Sequence, residues 1–149
     1  HVSNGILYNH ESPRRGENFV TQKIVRGAAS IAQGKSDRLE LGNLDIERDW
    51  GYAPDYVHGM WMMLQQEQAD DYILATGKTH KLSDFLQLSF EYFGLDHQKH
   101  IRINPKFVRP NEPVQLCGDS SKAQNILGWK PSLSFTELIH EMCEAVSQK

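Results

Sequence analysis

GILYNHESPRRGENFV, residues 5–20, joins a short apolar run to a polar loop and to the start of a helical pattern. The run Gly5–Tyr8 predicts a buried strand, because it is short, apolar and followed by a loop. From Phe19 onward, apolar residues recur with helical spacing as far as Gly34, which predicts a helix that stops at this glycine. A strand that leads through a loop into a helix is the repeating unit of α/β proteins.

The polar loop of this stretch brings together a histidine, two carboxylates and two adjacent arginines. Two interpretations are open. In the first, the loop is a solvated turn in which Arg15 pairs with Glu11 or Glu17. In the second, the loop is part of a site for an anion, because arginine offers paired donors and keeps its charge.

The same alternation of apolar runs and helical patterns continues along the chain and predicts an α/β domain. Strands are predicted at Leu39–Leu41, Tyr72–Ala75 and Ile101–Ile103, and helices from Ala53, Leu82, Asp119 and Ser134. Ser134 and Glu137 have the spacing of a capping box, which marks the start of the last helix.

In the helix that begins near Ala53, four large apolar residues follow a spacing of i, i+3, i+4 and i+7: Val57, Met60, Trp61 and Leu64. This spacing places them on one helix face. We expect that face to pack against the core.

The composition limits the kinds of partner. With 149 residues, 39% of them hydrophobic and 23% charged, the chain suits one globular domain. A net charge of −3 argues against a nucleic-acid partner, and the absence of a long apolar run argues against a membrane. Two cysteines without close spacing favour a reducing compartment, hence a cytoplasmic location. The chain begins with His1 rather than methionine, so we expect a fragment or a processed chain.

Three charged clusters lie at connections between the predicted elements: the opening loop, Glu47–Gly51 and Arg109–Glu112. In α/β folds, ligands bind among the loops beyond the carboxyl ends of the strands. Arg15, Arg48 and Arg109 converging on one pocket would form a diphosphate site. The alternatives are local ion pairs, in which Arg48 holds a turn with its neighbour Asp49 and Arg109 pairs with Glu112.

Several catalytic and metal-binding patterns are absent from the sequence. It contains neither a glycine-rich G-x-G-x-x-G turn nor a G-x-S-x-G motif. No tyrosine is followed four residues later by a lysine. His97 and His100 have a spacing compatible with a metal, but no cysteine or carboxylate completes a site, so we predict none.

Three segments carry a resemblance to a known family: NGILYNHESPRRGENFVTQKI (4–24), LGNLDIERDWGYAPDYVHGMWMMLQQ (41–66) and GDSSKAQNILGWKP (118–131). They closely resemble the GDP-mannose 4,6-dehydratases, which are extended short-chain dehydrogenases/reductases. The resemblance implies that residues 1–149 are the C-terminal, sugar-nucleotide-binding portion of this α/β fold, with one or two strands that belong to the Rossmann sheet. The N-terminal NADP-binding half would then be absent from this chain.

The resemblance also implies a reaction. NADP⁺ takes a hydride from C4 of the mannose ring of GDP-mannose, water is lost across C5 and C6, and the hydride returns to C6. The product is GDP-4-keto-6-deoxymannose, a precursor of GDP-fucose. The catalytic Thr or Ser, Glu, Tyr and Lys of the family belong to the N-terminal half, so we expect no catalytic residue here and no activity of this chain alone.

By the same resemblance, the loop of the opening stretch faces both the cofactor and the sugar nucleotide. His10 and Arg15 would contact NADP, and Asn9 and Lys23 would contact GDP-mannose. Arg48 would hold the diphosphate. The remaining pair, Arg109 and Glu112, would close over the phosphate and the ribose.

Two alternatives to this function are open. One is a fragment of a related nucleotide-sugar epimerase or reductase. The other is an inactive nucleotide-sugar-binding or oligomerisation module, because the residues expected for catalysis are absent. For the function that the resemblance implies, we also expect a homo-oligomer.

Overall fold

The computed structural model describes residues 1–108 and 111–148. Short strands and helices alternate along these residues, which confirms the predicted α/β class. The strands are β1 (Gly5–Leu7), β2 (Asn9–Glu11), β3 (Leu39–Leu41), β4 (Glu47–Arg48), β5 (Trp50–Tyr52), β6 (Tyr72–Leu74), β7 (His80–Lys81), β8 (Ile101–Ile103) and β9 (Gln115–Leu116). The helices are α1 (Val20–Ala32), α2 (Ala53–Leu64), α3 (Leu82–Tyr92), α4 (His97–His100), α5 (Ser121–Leu127) and α6 (Phe135–Ser147), and a 3-10 turn spans Pro105–Phe107.

The strands form small sheets that are mostly parallel. Strand β1 pairs with β6, β2 with β5, and β3 with β8, all in parallel. Strand β4 lies between β7, to which it is antiparallel, and β9, to which it is parallel. The end of β2 lies close to the start of α1, since the Thr21 hydroxyl donates to the Glu11 carboxylate at 2.6 Å.

Strand β1 occupies the position that the sequence predicts, but it is not buried. Ile6 is 55% exposed, and β1 pairs with β6 along one edge only within the described residues. The prediction of burial was wrong. An apolar run shows that a strand is able to pack against a partner, but the outer side of β1 has no such partner among these residues.

The main core lies between α1, α3 and α6, which pack against one another. Ile24, Phe85, Phe90 and Ile139 are fully buried there. Gly34 follows α1 with a φ of 68°, as expected for a helix that ends on glycine. The predicted capping box of α6 is also present, since Ser134 and the side chain of Glu137 bond each other's backbone N–H groups.

Helix α2 buries a different face from the predicted one. The expected apolar stripe is exposed, with Val57 at 63%, Trp61 at 58% and Leu64 at 58%. The face that packs inward instead contains Gly59, at which an added Cβ would lie 2.6 Å from a methyl carbon of Leu74. The helix turns its smallest residue inward because close packing on β6 requires it.

Candidate functional site

A cavity of about 650 Å³ lies between β2, the first turns of α1, β4 and the segment that contains the 3-10 turn. Its lining includes five residues that the sequence assigned to ligand binding: Asn9, Arg15, Lys23, Arg48 and Glu112. These residues come from four separate parts of the chain. The fold therefore gathers residues of all three charged clusters, together with Lys23, around one space.

Strand β2 separates the predicted binding residues of the opening loop. Asn9 and Glu11 alternate to the cavity side. His10 points to the other side, where its ring stacks on Tyr56 with centroids 4.9 Å apart. Its Nδ1 lies 2.7 Å from the carbonyl oxygen of Tyr8, so this nitrogen carries the proton and donates. The structure thus places His10 apart from the other predicted ligands.

Arg15 lies in the cavity wall and is also held by its neighbours. Its Nε is 3.1 Å from Oε2 of Glu11, and its guanidinium carbon is 3.5 Å from the centroid of the Phe19 ring. Of the two pairings considered for Arg15, the one with Glu11 is present, while Glu17 pairs with Arg26. The arginine remains 20% exposed, so a fixed positive charge faces the cavity.

The carboxylate of Glu11 is almost completely buried beneath this arginine. Burial raises the pKa of Glu11, and the hydrogen bond from Thr21 and the charge of Arg15 act in the opposite direction. The Thr21 hydroxyl donates to Oε2 at 2.6 Å. Glu11 therefore holds Arg15 in position from the interior side of the cavity wall.

Arg48 occupies β4 and is only 7% exposed. Its Nη1 donates to the carbonyl oxygens of Glu47 at 2.7 Å and Pro113 at 2.9 Å. Its Nη2 donates to Oε1 of Glu112 at 2.9 Å. These contacts fasten residues 112–114 to β4 and hold the guanidinium in one orientation at the cavity wall.

Asp49 does not pair with Arg48, and the alternative of a simple Arg48–Asp49 turn is wrong. Its carboxylate is fully buried and accepts hydrogen bonds from the backbone N–H groups of Thr76, Gly77 and Gly118, at 2.8, 2.9 and 3.2 Å. The Thr76 hydroxyl adds a fourth bond of 2.6 Å. Asp49 thus joins β4 to two other loops, a role that the sequence analysis missed because the donors are backbone groups remote in sequence.

Phe107 ends the 3-10 turn and lines the cavity, and it was not predicted as a site residue from the sequence. The ammonium group of Lys23 lies 4.0 Å from the centroid of the Phe107 ring. An aromatic residue before the Arg109 cluster was visible in the sequence, but its contact with α1 was not. Arg109 itself lies outside the described residues.

The cavity combines cationic side chains with an apolar lining supplied by Leu41, Ile46, Leu82 and Phe107. Its two carboxylates are both engaged with arginines. Such a wall suits a ligand that has an anionic group and a flat or apolar body. Among the described residues, no group of three or more histidine, cysteine or acidic side chains could hold a metal ion, and no helix is long and apolar enough to cross a membrane.

Comparison with known protein families gives a match over most of the chain. The family model for GDP-mannose 4,6 dehydratase matches residues 1–142. GDP-mannose 4,6 dehydratase 1 of Arabidopsis thaliana is 51% identical over 97% of this chain and 40% of its own length. The Homo sapiens GDP-mannose 4,6 dehydratase is 43% identical over 95% of this chain and 43% of its own length. The chain therefore spans about two fifths of the length of these relatives.

Solved structures agree on the fold. The structure of RMD from Pseudomonas aeruginosa complexed with NADPH aligns with a TM-score of 0.86 at 21% identity, over 97% of this chain and 47% of that one. The dTDP-glucose 4,6-dehydratase from Bacillus anthracis in complex with NAD aligns with a TM-score of 0.83 at 14% identity, over 97% and 44%. The chain has the fold of the corresponding part of the extended short-chain dehydrogenases/reductases, as predicted.

Proposed function

The chain belongs to the GDP-mannose 4,6-dehydratase family, and we propose that it forms the sugar-nucleotide-binding portion of such an enzyme. The observation that supports this function best is the single cavity that collects Asn9, Arg15, Lys23, Arg48 and Glu112. The proposed substrate is GDP-mannose and the proposed product is GDP-4-keto-6-deoxymannose, formed by loss of water, so the whole enzyme is a lyase.

In this proposal Arg48 binds the diphosphate. The carbonyl groups of Glu47 and Pro113 hold its Nη1 without neutralising its charge. The described contacts leave one N–H of Nη2 and the Nε group for a ligand, and a guanidinium held in advance loses little entropy on binding. A phosphate would share the guanidinium with Glu112 or replace this carboxylate.

The other cavity residues bind the rest of the sugar nucleotide. Lys23 reaches the phosphates from α1, and the side-chain amide of Asn9 bonds to the ligand from β2. Arg109 and Glu112 close over the phosphate and the ribose. The position of Glu112 beside Arg48 supports its part of this proposal, and Arg109 enters through the family resemblance alone.

The proposed cofactor is NADP, which supplies a hydride acceptor that later returns the hydride. His10 and Arg15 fit an anionic dinucleotide in charge and donor type. Because Nδ1 of His10 donates to Tyr8, the ring offers Nε2 as an acceptor when neutral and as a donor when protonated. Arg15 offers a guanidinium fixed by Glu11. A nicotinamide cofactor is bound by both structural neighbours named above.

We further propose that residues 1–149 act together with an NADP-binding Rossmann half that carries the catalytic residues, and that the enzyme is a homo-oligomer. The exposed side of β1 and the exposed stripe of α2 support a partner surface, since Ile6, Val57 and Trp61 are each more than half exposed. The two free cysteines, Cys117 and Cys143, fit the reducing interior of the cytoplasm.

A second candidate is an inactive sugar-nucleotide-binding module. The sequence observation that favours it is the absence of a tyrosine followed four residues later by a lysine. Both candidates require the same binding cavity, so they differ in catalysis and not in affinity.

Calorimetric titration of GDP into the purified chain tests the binding function. We expect binding, and we expect Arg48→Ala to weaken it about ten- to a hundred-fold, as for the loss of a charge-assisted hydrogen bond. Arg38→Ala is the matched control, because Arg38 is exposed and lies outside the cavity lining. Thermal melts of each variant separate affinity from stability. Unchanged GDP affinity with a lowered melting temperature in Arg48→Ala would mean that this arginine only braces the segment after it.

A further inference from the structure

The Phe107 ring is a large apolar surface that the protein leaves uncovered at the cavity wall. The residue is 49% exposed although it lines a cavity with Leu41 and Ile46, both of which are buried. The ammonium group of Lys23 lies over one face of the ring. Lysine is a flexible cation that can leave a ring face without disturbing the backbone.

The backbone that carries this ring is held firmly in place. At Gly42 an added Cβ would lie 2.4 Å from the carbonyl oxygen of Phe107, so the turn rests directly on the chain after β3. The N–H of Asn104 donates to the carbonyl of Leu41 at 2.8 Å, and its side-chain oxygen accepts from the N–H of Lys106 at 3.0 Å. The ring is therefore presented from a fixed position, as a stacking surface requires.

Asn43 follows Gly42 and lines the same cavity. Its side-chain oxygen accepts a hydrogen bond of 2.9 Å from the backbone N–H of Asp45. Since only the oxygen of an amide can accept, this bond fixes which way the side chain faces. The NH₂ group is left as a hydrogen-bond donor beside the Phe107 turn.

We infer that Phe107 is the surface on which the nucleobase stacks and that the Asn43 amide reads the edge of the base. This inference rests on the proposed binding of a guanosine diphosphate sugar. An NH₂ donor complements O6 of guanine, whereas adenine places a donor at the same edge. When the ligand binds, the Lys23 ammonium moves from the Phe107 ring to the diphosphate, and the base takes its place above the ring.

A purely structural role for the Lys23–Phe107 pair gives a different expectation. A half-exposed cation–π contact stabilises the folded state only weakly. In that case removal of the ring would change the melting temperature slightly and would leave nucleotide affinity alone. The base-stacking role predicts the opposite pattern, which binding measurements with and without a base can detect.

The first experiment titrates GDP and inorganic pyrophosphate into the chain and into Phe107→Ala. We expect the affinity for GDP to fall about 5- to 100-fold, as for the loss of one base–aromatic stack, while the affinity for pyrophosphate stays within about twofold. Phe107→Tyr should keep the affinity for GDP. Val108→Ala is the matched control, because Val108 is adjacent, 46% exposed and outside the cavity lining.

The second experiment compares GDP with ADP for Asn43→Asp. An aspartate can still accept from the Asp45 N–H, but it replaces the donor with a carboxylate that repels guanine O6. We expect the affinity for GDP to fall about tenfold and the preference for GDP over ADP to shrink, in line with one lost base contact. An unchanged ratio of the two affinities would overturn the role of Asn43.

The outcomes also separate this inference from the function on which it rests. If the unmodified chain binds neither GDP nor pyrophosphate, the proposed function and the base subsite both fail. If Arg48→Ala loses GDP binding and Phe107→Ala does not, only the base subsite fails. If Phe107→Ala weakens GDP and pyrophosphate equally, the ring supports the cavity wall and does not stack on a base, which also overturns the inference.

Discussion

Arg48 and Glu112 form an ion pair of 2.9 Å between β4 and a segment 64 residues further along the chain. The Glu112 carboxylate lies where Arg48 faces the cavity, so it partly neutralises the guanidinium charge that a phosphate would contact. Ion pairs of this kind hold a binding segment in place before the ligand arrives. They also compete with the ligand for the same cation.

The first prediction follows from that competition. Glu112→Gln should raise the affinity of the chain for inorganic pyrophosphate about two- to fivefold, because it removes a negative charge that opposes the phosphate at a partly exposed ion pair. Calorimetric titration measures the change. Glu67→Gln is the control, since Glu67 is exposed and outside the cavity lining. A lower pyrophosphate affinity in Glu112→Gln would show that the carboxylate positions Arg48 and does not compete with the ligand.

The second prediction concerns the buried carboxylate of Asp49. Asp49→Asn should lower the free energy of unfolding by about 2–3 kcal/mol, because an amide replaces one acceptor oxygen with a donor that faces backbone N–H groups. Urea denaturation followed by circular dichroism gives the value. Asp45→Asn, at an exposed position, should change it by less than about 0.5 kcal/mol. Equal stability of the two variants would mean that the backbone donors find other partners.

The third prediction is a pH dependence from Glu11, whose pKa is raised above 4.5 in the folded protein by burial. The folded state therefore holds its proton to a higher pH than the unfolded state does. The contribution of Glu11 to stability is largest below pH 4.5 and is lost as the pH rises through the folded pKa. Between pH 4.5 and the folded pKa of Glu11, the free energy of unfolding of the unmodified chain, minus that of Glu11→Gln, should consequently fall as the pH rises.

Glu17→Gln serves as the control for this pH series, because Glu17 is exposed and pairs only with Arg26 among the described residues. Its difference from the unmodified chain should not fall above pH 4.5. A difference for Glu11→Gln that rises with pH would mean that the ion pair with Arg15 outweighs burial.

How much of this could be predicted from the sequence differs between elements. The ends of α1 and α6 were predictable, because Gly34 and the Ser134–Glu137 capping box act locally. The strands β2, β4, β5, β7 and β9 were not predicted, because they lack the apolar run or the alternation that marked β1, β3, β6 and β8; β2 lies in what the sequence indicated to be a polar loop. The buried face of α2 was predicted wrongly, because packing at Gly59 decides the orientation and apolar spacing does not.

The candidate site shows the same division. Family motifs identified Asn9, Arg15, Lys23 and Arg48, all of which line the cavity. Phe107 was missed because its place in the cavity depends on a contact between distant parts of the backbone. Sequence motifs identify chemically distinctive residues, whereas long-range contacts determine which other residues lie beside them in the fold.

The fourth prediction is that the 149-residue chain alone does not convert GDP-mannose in the presence of NADP⁺. Without the reacting acid and base groups, the rate should fall by several orders of magnitude. Mass spectrometry of the reaction mixture detects the 4-keto-6-deoxy product. A relative such as the Arabidopsis thaliana enzyme is the positive control. Product formation by the chain alone would exclude both the assignment of catalysis to another half and the inactive module.

The fifth prediction is that the chain self-associates through the exposed stripe of α2. Trp61→Glu should shift light scattering toward the monomer at high concentration, because a charge on an apolar interface is costly to bury. Trp61 is 58% exposed, so the variant should fold normally. Lys35→Glu, on an exposed turn elsewhere, is the control. A chain that is already monomeric at high concentration would contradict the prediction.

Gly59 has a consequence for how α2 can change over evolutionary time. An added Cβ there would lie 2.6 Å from a methyl carbon of Leu74 and 3.0 Å from the Trp129 ring, so any side chain would force these buried side chains or the helix to shift. That constraint fixes the rotation of α2 about its axis, and with it the direction in which Val57, Trp61 and Leu64 point. Selection that preserves this glycine in the interior would therefore also preserve the orientation of the proposed partner surface on the opposite side of the helix.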